Sequence, residues 1–369
     1  MENAFGPLDN IDCWLEKLED LIDLNHVART RELQRRCFAF EPVEHIPTVI
    51  EYPVGDEWPE FGFRDIYADP SRMLLSELRS VYAGAKLQDD RLYGIRANYG
   101  TGIIASMFGC EVVVLDHSLP RALPVSEERV REVMAGGVPD VRAGLVGRAL
   151  DTVAFYREAL APYPKLSAAV GSQMLDIQGP FDNATLIWGE RALYAFYDEP
   201  ESLARLMELV VEATLMVVQE HRRIDRQAID EHDGWWNGLG GLCVREDACV
   251  MLSRDQYKDF VKPHDARLLS QLGGWVHFCG KGHQWLEDVL SLPGARGVNI
   301  SQGEFYDLAQ VYKACEAARV AVVGWTQPLT PDLRDRIRTG FSRVAYAESY
   351  DAACRMKERL YERGHVDGD

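Results

Sequence analysis

The spacing of apolar positions changes period several times along the chain. Between residues 10 and 38 apolar side chains recur every three or four positions, with Trp14, Leu15, Leu18, Leu21 and Ile22 on one stripe, which predicts an amphipathic helix. After Pro42 the pattern becomes a short run rich in β-branched residues, HIPTVIEY over 45–52, bounded by prolines and predicted to be a first buried strand. Further strand-like runs lie near 95–99, 167–178, 239–246, 275–279, 297–300, 320–325 and 341–347. Helical patterns separate most of them, over 126–134, 145–160, 201–223, 255–272, 283–292, 305–318 and 350–361. This alternation is the rhythm of parallel βα units. Eight strands favour a closed (β/α)8 TIM barrel over a doubly wound sheet, and no G-x-G-x-x-G follows an early strand. No linker divides the chain. The expected organisation is an N-terminal helical extension over 1–40 and a barrel over 41–363, with the aromatic-rich stretch 53–94 lying over one barrel end and 116–142 as a second excursion.

Composition narrows the classes. With 369 residues, 47% hydrophobic and 27% charged, the chain is globular. A formal charge of -18 with no basic block argues against a general nucleic-acid binder. No basic-then-apolar segment opens the sequence and no apolar run approaches membrane-spanning length, so a reducing cytoplasm is the expected setting. Its eight irregularly spaced cysteines are then mostly small buried hydrophobes.

Against that background the stretch WVHFCGKGH, residues 275–283, stands out. On a strand, His277 and Cys279 share one face while Val276 and Phe278 share the other. The C-terminal end of a parallel barrel strand is where polarity is tolerated and where such barrels do chemistry. Imidazole and thiolate two residues apart form half of a zinc site. A hydrogen-bonded histidine beside a buried thiol is the other reading, and both remain open. Gly280 and Gly282 release the turn, and His283 begins the next helical stretch.

Other strand ends also carry polar or aromatic groups. Asp176 and Gln178 fall on one side of theirs, and Cys243-Val244-Arg245-Glu246-Asp247 ends the next with two carboxylates. Glu246, Asp247 or Glu304 would serve as an acid; helix capping, or an ion pair with Arg245, is the competing reading. Tyr99, Asp176, Gln178, Trp235, Asn299 and Trp325 are the expected substrate-lining positions.

Taken in order, RTRELQRRCFAFEPVEHIPTVIEYP, NYGTGIIASMFG, DIQGPFDNA, REDACVMLSRDQYKDFVKPH, VHFCGKGHQWLEDVLSLPGARGVNIS and VVGWTQPLTPD resemble the uroporphyrinogen decarboxylase superfamily, which also contains cobalamin-dependent methyltransferases. The resemblance implies a (β/α)8 barrel with its cleft at the C-terminal mouth, often paired as a homodimer. In the decarboxylases an early Arg-Gln-x-Gly-Arg loop and a late Gly-His-Gly loop hold the substrate carboxylates. Here the matching stretches read RTRELQRRCF and RVAYAESYDAAC, so neither motif survives. In the methyltransferase branch a His-x-Cys and a distant cysteine bind Zn2+. His277 and Cys279 match the pair; Cys354, or the oxygen ligand Glu348, would be third, with Cys243 and Asp247 on a neighbouring strand as further entrants. Cobalamin, a corrinoid, would arrive on a partner protein. The leading expectation is zinc-assisted methyl transfer between that corrinoid and a small methyl donor or thiol acceptor. A decarboxylase or lyase acting on a carboxylated substrate, with arginines such as Arg96, Arg245 or Arg29 in the cleft, is the runner-up, and a non-catalytic ligand-binding barrel the third.

Overall fold

The computed structural model describes residues 11–225 and 240–362. Among the described residues ten strands are formed: β1 (Thr48–Glu51), β2 (Gly94–Ile95), β3 (Glu111–Val113), β4 (Arg121–Leu123), β5 (Gly171–Ser172), β6 (Leu242–Arg245), β7 (Gly274–Phe278), β8 (Ala295–Ile300), β9 (Ala321–Trp325) and β10 (Phe341–Tyr346). Six of them make one parallel sheet in the order β1-β10-β9-β8-β7-β6; β2 pairs with β5 in parallel, and β3 with β4 is an antiparallel hairpin within the 111–123 stretch. Helices flank the sheet, as βα units require.

The expected closed barrel is therefore realised as a partial one. Two seams interrupt the backbone ladder, between β1 and β2 and between β5 and β6, because other groups take the hydrogen bonds there. At the first, Asp89 accepts from the Ile50 N–H at 2.8 Å and Asp90 accepts from the Thr48 N–H at 3.0 Å. At the second, the Gly179 N–H donates to the Arg245 carbonyl at 2.7 Å and the Arg245 guanidinium donates to the Ile177 carbonyl at 3.2 Å. The backbone groups are satisfied without a regular ladder.

Two local expectations change. The helical pattern over 10–38 is two helices, Asp12–Leu21 and Leu24–Phe38; the Asp23 carboxylate caps the second by accepting from the Asn25 N–H at 2.9 Å. The stretch 53–94, expected to lie over one barrel end, includes an ordinary element of the βα alternation. Its longest element is the helix Pro70–Leu87, which buries Met73, Leu74, Leu78 and Val81 and makes the crossover from β1 to β2. Among the described residues no helix is long and apolar enough to cross a membrane.

The apolar core lies mainly between sheet and helices. A smaller cluster on the other face of the sheet, Phe38, Cys243, Trp275, Ala321 and Val323, seals the N-terminal end of the strands. One pleat above that plug the register aligns Arg245 with His277 and His277 with Asn299, so three polar side chains meet in one layer.

Candidate metal centre

The centre is built on neighbouring strand ends. His277 is the fourth residue of β7 and Cys279 follows the strand, so alternation turns both toward the cleft while Val276 and Phe278 pack in the main core. Asp247 enters from the end of β6. His277 Nε2 lies 3.5 Å from Cys279 Sγ and 3.5 Å from Asp247 Oδ1. The Asp247 carboxylate also accepts from the Cys279 N–H at 2.7 Å, which ties the two loops together. Carboxylate oxygen, imidazole nitrogen and sulfur all lie within 4.8 Å of one another.

The imidazole tautomer follows from its second partner. Asn299 Nδ2 donates to the Val323 carbonyl at 2.6 Å, so Asn299 Oδ1, 2.6 Å from His277 Nδ1, is the acceptor and Nδ1 carries the proton. Nε2 then turns its lone pair toward Cys279 and Asp247. A ligating histidine is ordinarily held by such an outer partner. Ser301 extends the arrangement by hydrogen bonding the Cys279 sulfur.

Burial, reinforced by the Arg245 charge and opposed by Asp247, lowers the His277 pKa and favours neutral imidazole. Burial, with the Asp247 charge, pushes the Cys279 thiol up to about 11, and the Ser301 hydrogen bond works against that rise. Beside the centre, buried Asp176 lies between Arg96, 3.6 Å away, and Arg245, 3.4 Å away. Burial opposes its charge, but the two guanidinium groups prevail and hold its pKa below the ordinary value. Behind β6 a second acidic group is sealed from solvent. Asp182 accepts from the backbone N–H groups of Asp247 at 3.0 Å and Ala248 at 2.7 Å, thereby shaping the Asp247 turn, and burial with the Asp247 charge pushes its carboxyl up to about 7.

A neutral imidazole with a directed lone pair, a thiol and a carboxylate on adjacent strand ends suit zinc, which accepts nitrogen, sulfur and oxygen ligands. A model of the family described as uroporphyrinogen decarboxylase (URO-D) matches residues 94–335, more than half of the chain. The chain belongs to the uroporphyrinogen decarboxylase family. Over 108 residues it is 29% identical to the uroporphyrinogen decarboxylase of Syntrophotalea carbinolica, covering 28% of this chain and 27% of that protein. The chain thus matches about a quarter of that relative's length. A methyltransferase from Methanosarcina mazei superposes with a TM-score of 0.61 at 15% identity, over 90% of this chain and 97% of that one, a likeness of fold.

Within this member of the uroporphyrinogen decarboxylase family, several expected site residues meet and others do not. Asp247, His277, Cys279 and Asn299 come together, with Arg245, Asp176 and Gln178 beside them; the Gln178 amide donates to Asp176 at 3.0 Å. Glu246, one step along the strand from Arg245, faces the helices. Fully buried, it accepts from the Phe181 and Asp182 N–H groups at 3.1 and 3.2 Å and caps the helix Pro180–Trp188. The Tyr99 hydroxyl is likewise committed to the helical layer, 2.8 Å from Thr152 Oγ1. Glu304 is exposed at the rim and, with buried Trp325, Gln327 and Arg336, lines a cleft of about 620 Å³. His283 lines a neighbouring cleft. Cys354 sits on the helix Tyr350–Glu362, and Glu348 is exposed just before it; neither belongs to the convergent three. Cys243 lies in the apolar plug, and Arg29, 67% exposed, stands on the N-terminal helix Leu24–Phe38. Trp235 lies outside the described residues. Ser301 was missed, though a signal existed: Asn299-x-Ser301 follows His277-x-Cys279 at a constant separation of 22 residues. Parallel register gives each β7 donor its partner on the next strand.

Proposed function

We propose that this chain is a zinc-assisted methyltransferase of the uroporphyrinogen decarboxylase family, moving a methyl group between a corrinoid borne by a partner protein and a small donor or thiol acceptor. The observation that carries the reading is the convergence of Asp247, His277 and Cys279, with the lone pair of His277 Nε2 directed among them by Asn299. Zinc held there would supply Lewis acidity, stabilising a substrate thiolate or a developing anion. The protein's own groups do the rest. Asn299 keeps the imidazole in one tautomer, Asp182 shapes the backbone that presents Asp247, and the Asp247 carboxylate orders the Cys279 N–H. Arg96 and Arg245, which share Asp176 and, at Arg96, also meet Glu77, place two guanidinium groups in the adjoining wall where an anionic part of the substrate could pair with them.

Metal analysis of native protein purified without chelator tests the proposal, alongside His277→Ala, Cys279→Ser and Asp247→Ala. About one zinc per chain is expected, lost in each folded variant. Zinc-free native protein that also fails to take up added zinc would sink it. That same pair of buried arginines supports a second reading, a decarboxylase or lyase acting on a carboxylated substrate. It gains if metal is absent and Arg96→Ala and Arg245→Ala each abolish binding of small carboxylates seen by calorimetry with the native chain.

A further inference from the structure

The loop that carries Cys279 is held from one side by a single hydroxyl. The Tyr306 O–H donates to the Gly280 carbonyl at 2.9 Å, and the same oxygen accepts from the Gly282 N–H at 2.5 Å. One phenol thus bridges two backbone groups of the three residues that follow Cys279. Glycines at both positions let the loop pass this closely: Gly280 has φ +97°, and a Cβ on Gly282 would lie 2.5 Å from the Trp285 ring. The turn Gly303–Phe305 delivers the tyrosine, with the Tyr306 N–H donating to the Gly303 carbonyl at 3.0 Å. A second contact repeats the pairing of loop and turn: Lys281 Nζ stands 5.0 Å from the Phe305 ring centroid. Burial raises the Tyr306 pKa, so the hydroxyl keeps its proton and remains a donor across the neutral range. Phenylalanine would fill the same space but could satisfy neither backbone group.

Resting on the metal-centre reading, we propose that Tyr306 is a positioning residue for Cys279: by pinning Gly280 and Gly282 it fixes where the sulfur stands relative to His277 Nε2 and Asp247 Oδ1. Asp247 holds the Cys279 backbone from the β6 side and Tyr306 holds the next residues from the β8 side, so the thiol is clamped between two neighbours. The hydroxyl touches no donor atom's lone pair. Its effect passes through the loop.

Tyr306→Phe in the full chain is the test, with two readouts. Zinc affinity, measured by competition with a chromophoric chelator, is expected to fall about tenfold or more, the usual scale for outer-shell partners. Iodoacetamide modification of Cys279 in metal-free protein, followed by peptide mass spectrometry, is expected to change at least threefold in rate while the thermal midpoint moves little. Incorporation of 4-aminophenylalanine at 306, which restores the donor to Gly280 but only a weak acceptor for Gly282, should recover both values in part. Native affinity together with native modification rate in Tyr306→Phe would overturn the proposal; so would an equal loss in the 4-aminophenylalanine protein. If the native chain binds no zinc, the metal reading fails by itself, and the modification rates still decide whether Tyr306 positions the thiol. Should Tyr306→Phe not fold, the comparison passes to Lys281→Ala and Phe305→Leu, which loosen the same turn: unchanged modification of Cys279 in both would overturn the clamp.

Discussion

Two regions of this protein each pair a histidine with a carboxylate, and they put the pair to different use. Near the N-terminal ends of the strands, His45 Nε2 lies 3.0 Å from Asp90, next to buried Asp89 and Arg91. At the cleft, His277 Nε2 lies 3.5 Å from Asp247, next to Cys279. In the first region the acceptors are consumed by structure: Asp89 takes the Ile50 N–H and the Arg91 guanidinium, while Asp90 takes the Thr48 N–H and His45. These bonds close a seam in the sheet. In the second, His277 is anchored on its far side at Nδ1, and Asp247 Oδ1, although it accepts from the Cys279 N–H, still converges with Nε2 and the sulfur. Saturated carboxylates hold a fold together; the convergent one leaves a cluster that could hold a metal ion. Residue type alone does not separate the two cases.

The sharpest break of this comparison is in stability. Asp89→Ala breaks the buried pair with Arg91, whose side chain is 1% exposed and keeps, among the described residues, only Glu51 as a charged partner at 3.4 Å, and leaves the Ile50 N–H without its acceptor; it is expected to cost about 3–5 kcal/mol in chemical denaturation. Asp247→Ala, at a carboxylate 42% exposed, should cost under about 1 kcal/mol. Equal losses would erase the distinction. Next in size, Asn299→Ala removes the anchor of Nδ1 and should weaken zinc binding by about 10- to 100-fold in chelator competition. Unchanged affinity would show that the tautomer lock is dispensable.

A smaller effect depends on pH. Burial alone would lower the His45 pKa, but the hydrogen bond and charge of Asp90 outweigh it and raise the value above 6.5. The folded state therefore binds the proton more tightly than the unfolded one. That stabilisation is full below about pH 6.5 and is lost as pH rises through the folded pKa. The gap in thermal midpoint between native protein and His45→Gln should accordingly be wider at pH 6 than at pH 8.5; a constant gap contradicts the assignment. Smallest of all, Cys354→Ser should leave zinc content unchanged and stability within about 0.5 kcal/mol, because the thiol lies outside the convergent group.

Much of this was legible in the linear chain, for reasons that can be named. The parallel strands β6 to β10 announce themselves as apolar runs bounded by turn residues, and two-residue alternation is enough to bring His277 and Cys279 together. The parity that puts Arg245 on the cleft face also sends Glu246 to the helices, so part of the acid assignment was readable there as well. What resisted reading involves relations between strands. Asp247 reaches His277 only because β6 and β7 pair in one register, and the seams depend on side chains of Asp89 and Asp90 standing in for backbone partners. The break at Asp23 was hidden because the apolar stripe keeps its spacing across two helices.

The seams also divide the site between two arcs. The three donors and Asn299 ride on strands or strand ends of one continuous hydrogen-bonded sheet, whereas Arg96 and Asp176 extend from the detached β2–β5 pair. Arg245 spans the line where those two arcs meet: it rides on the continuous sheet, donates to the Ile177 carbonyl and pairs with Asp176 of the other arc. Its guanidinium therefore couples the arginine wall to the layer that carries His277.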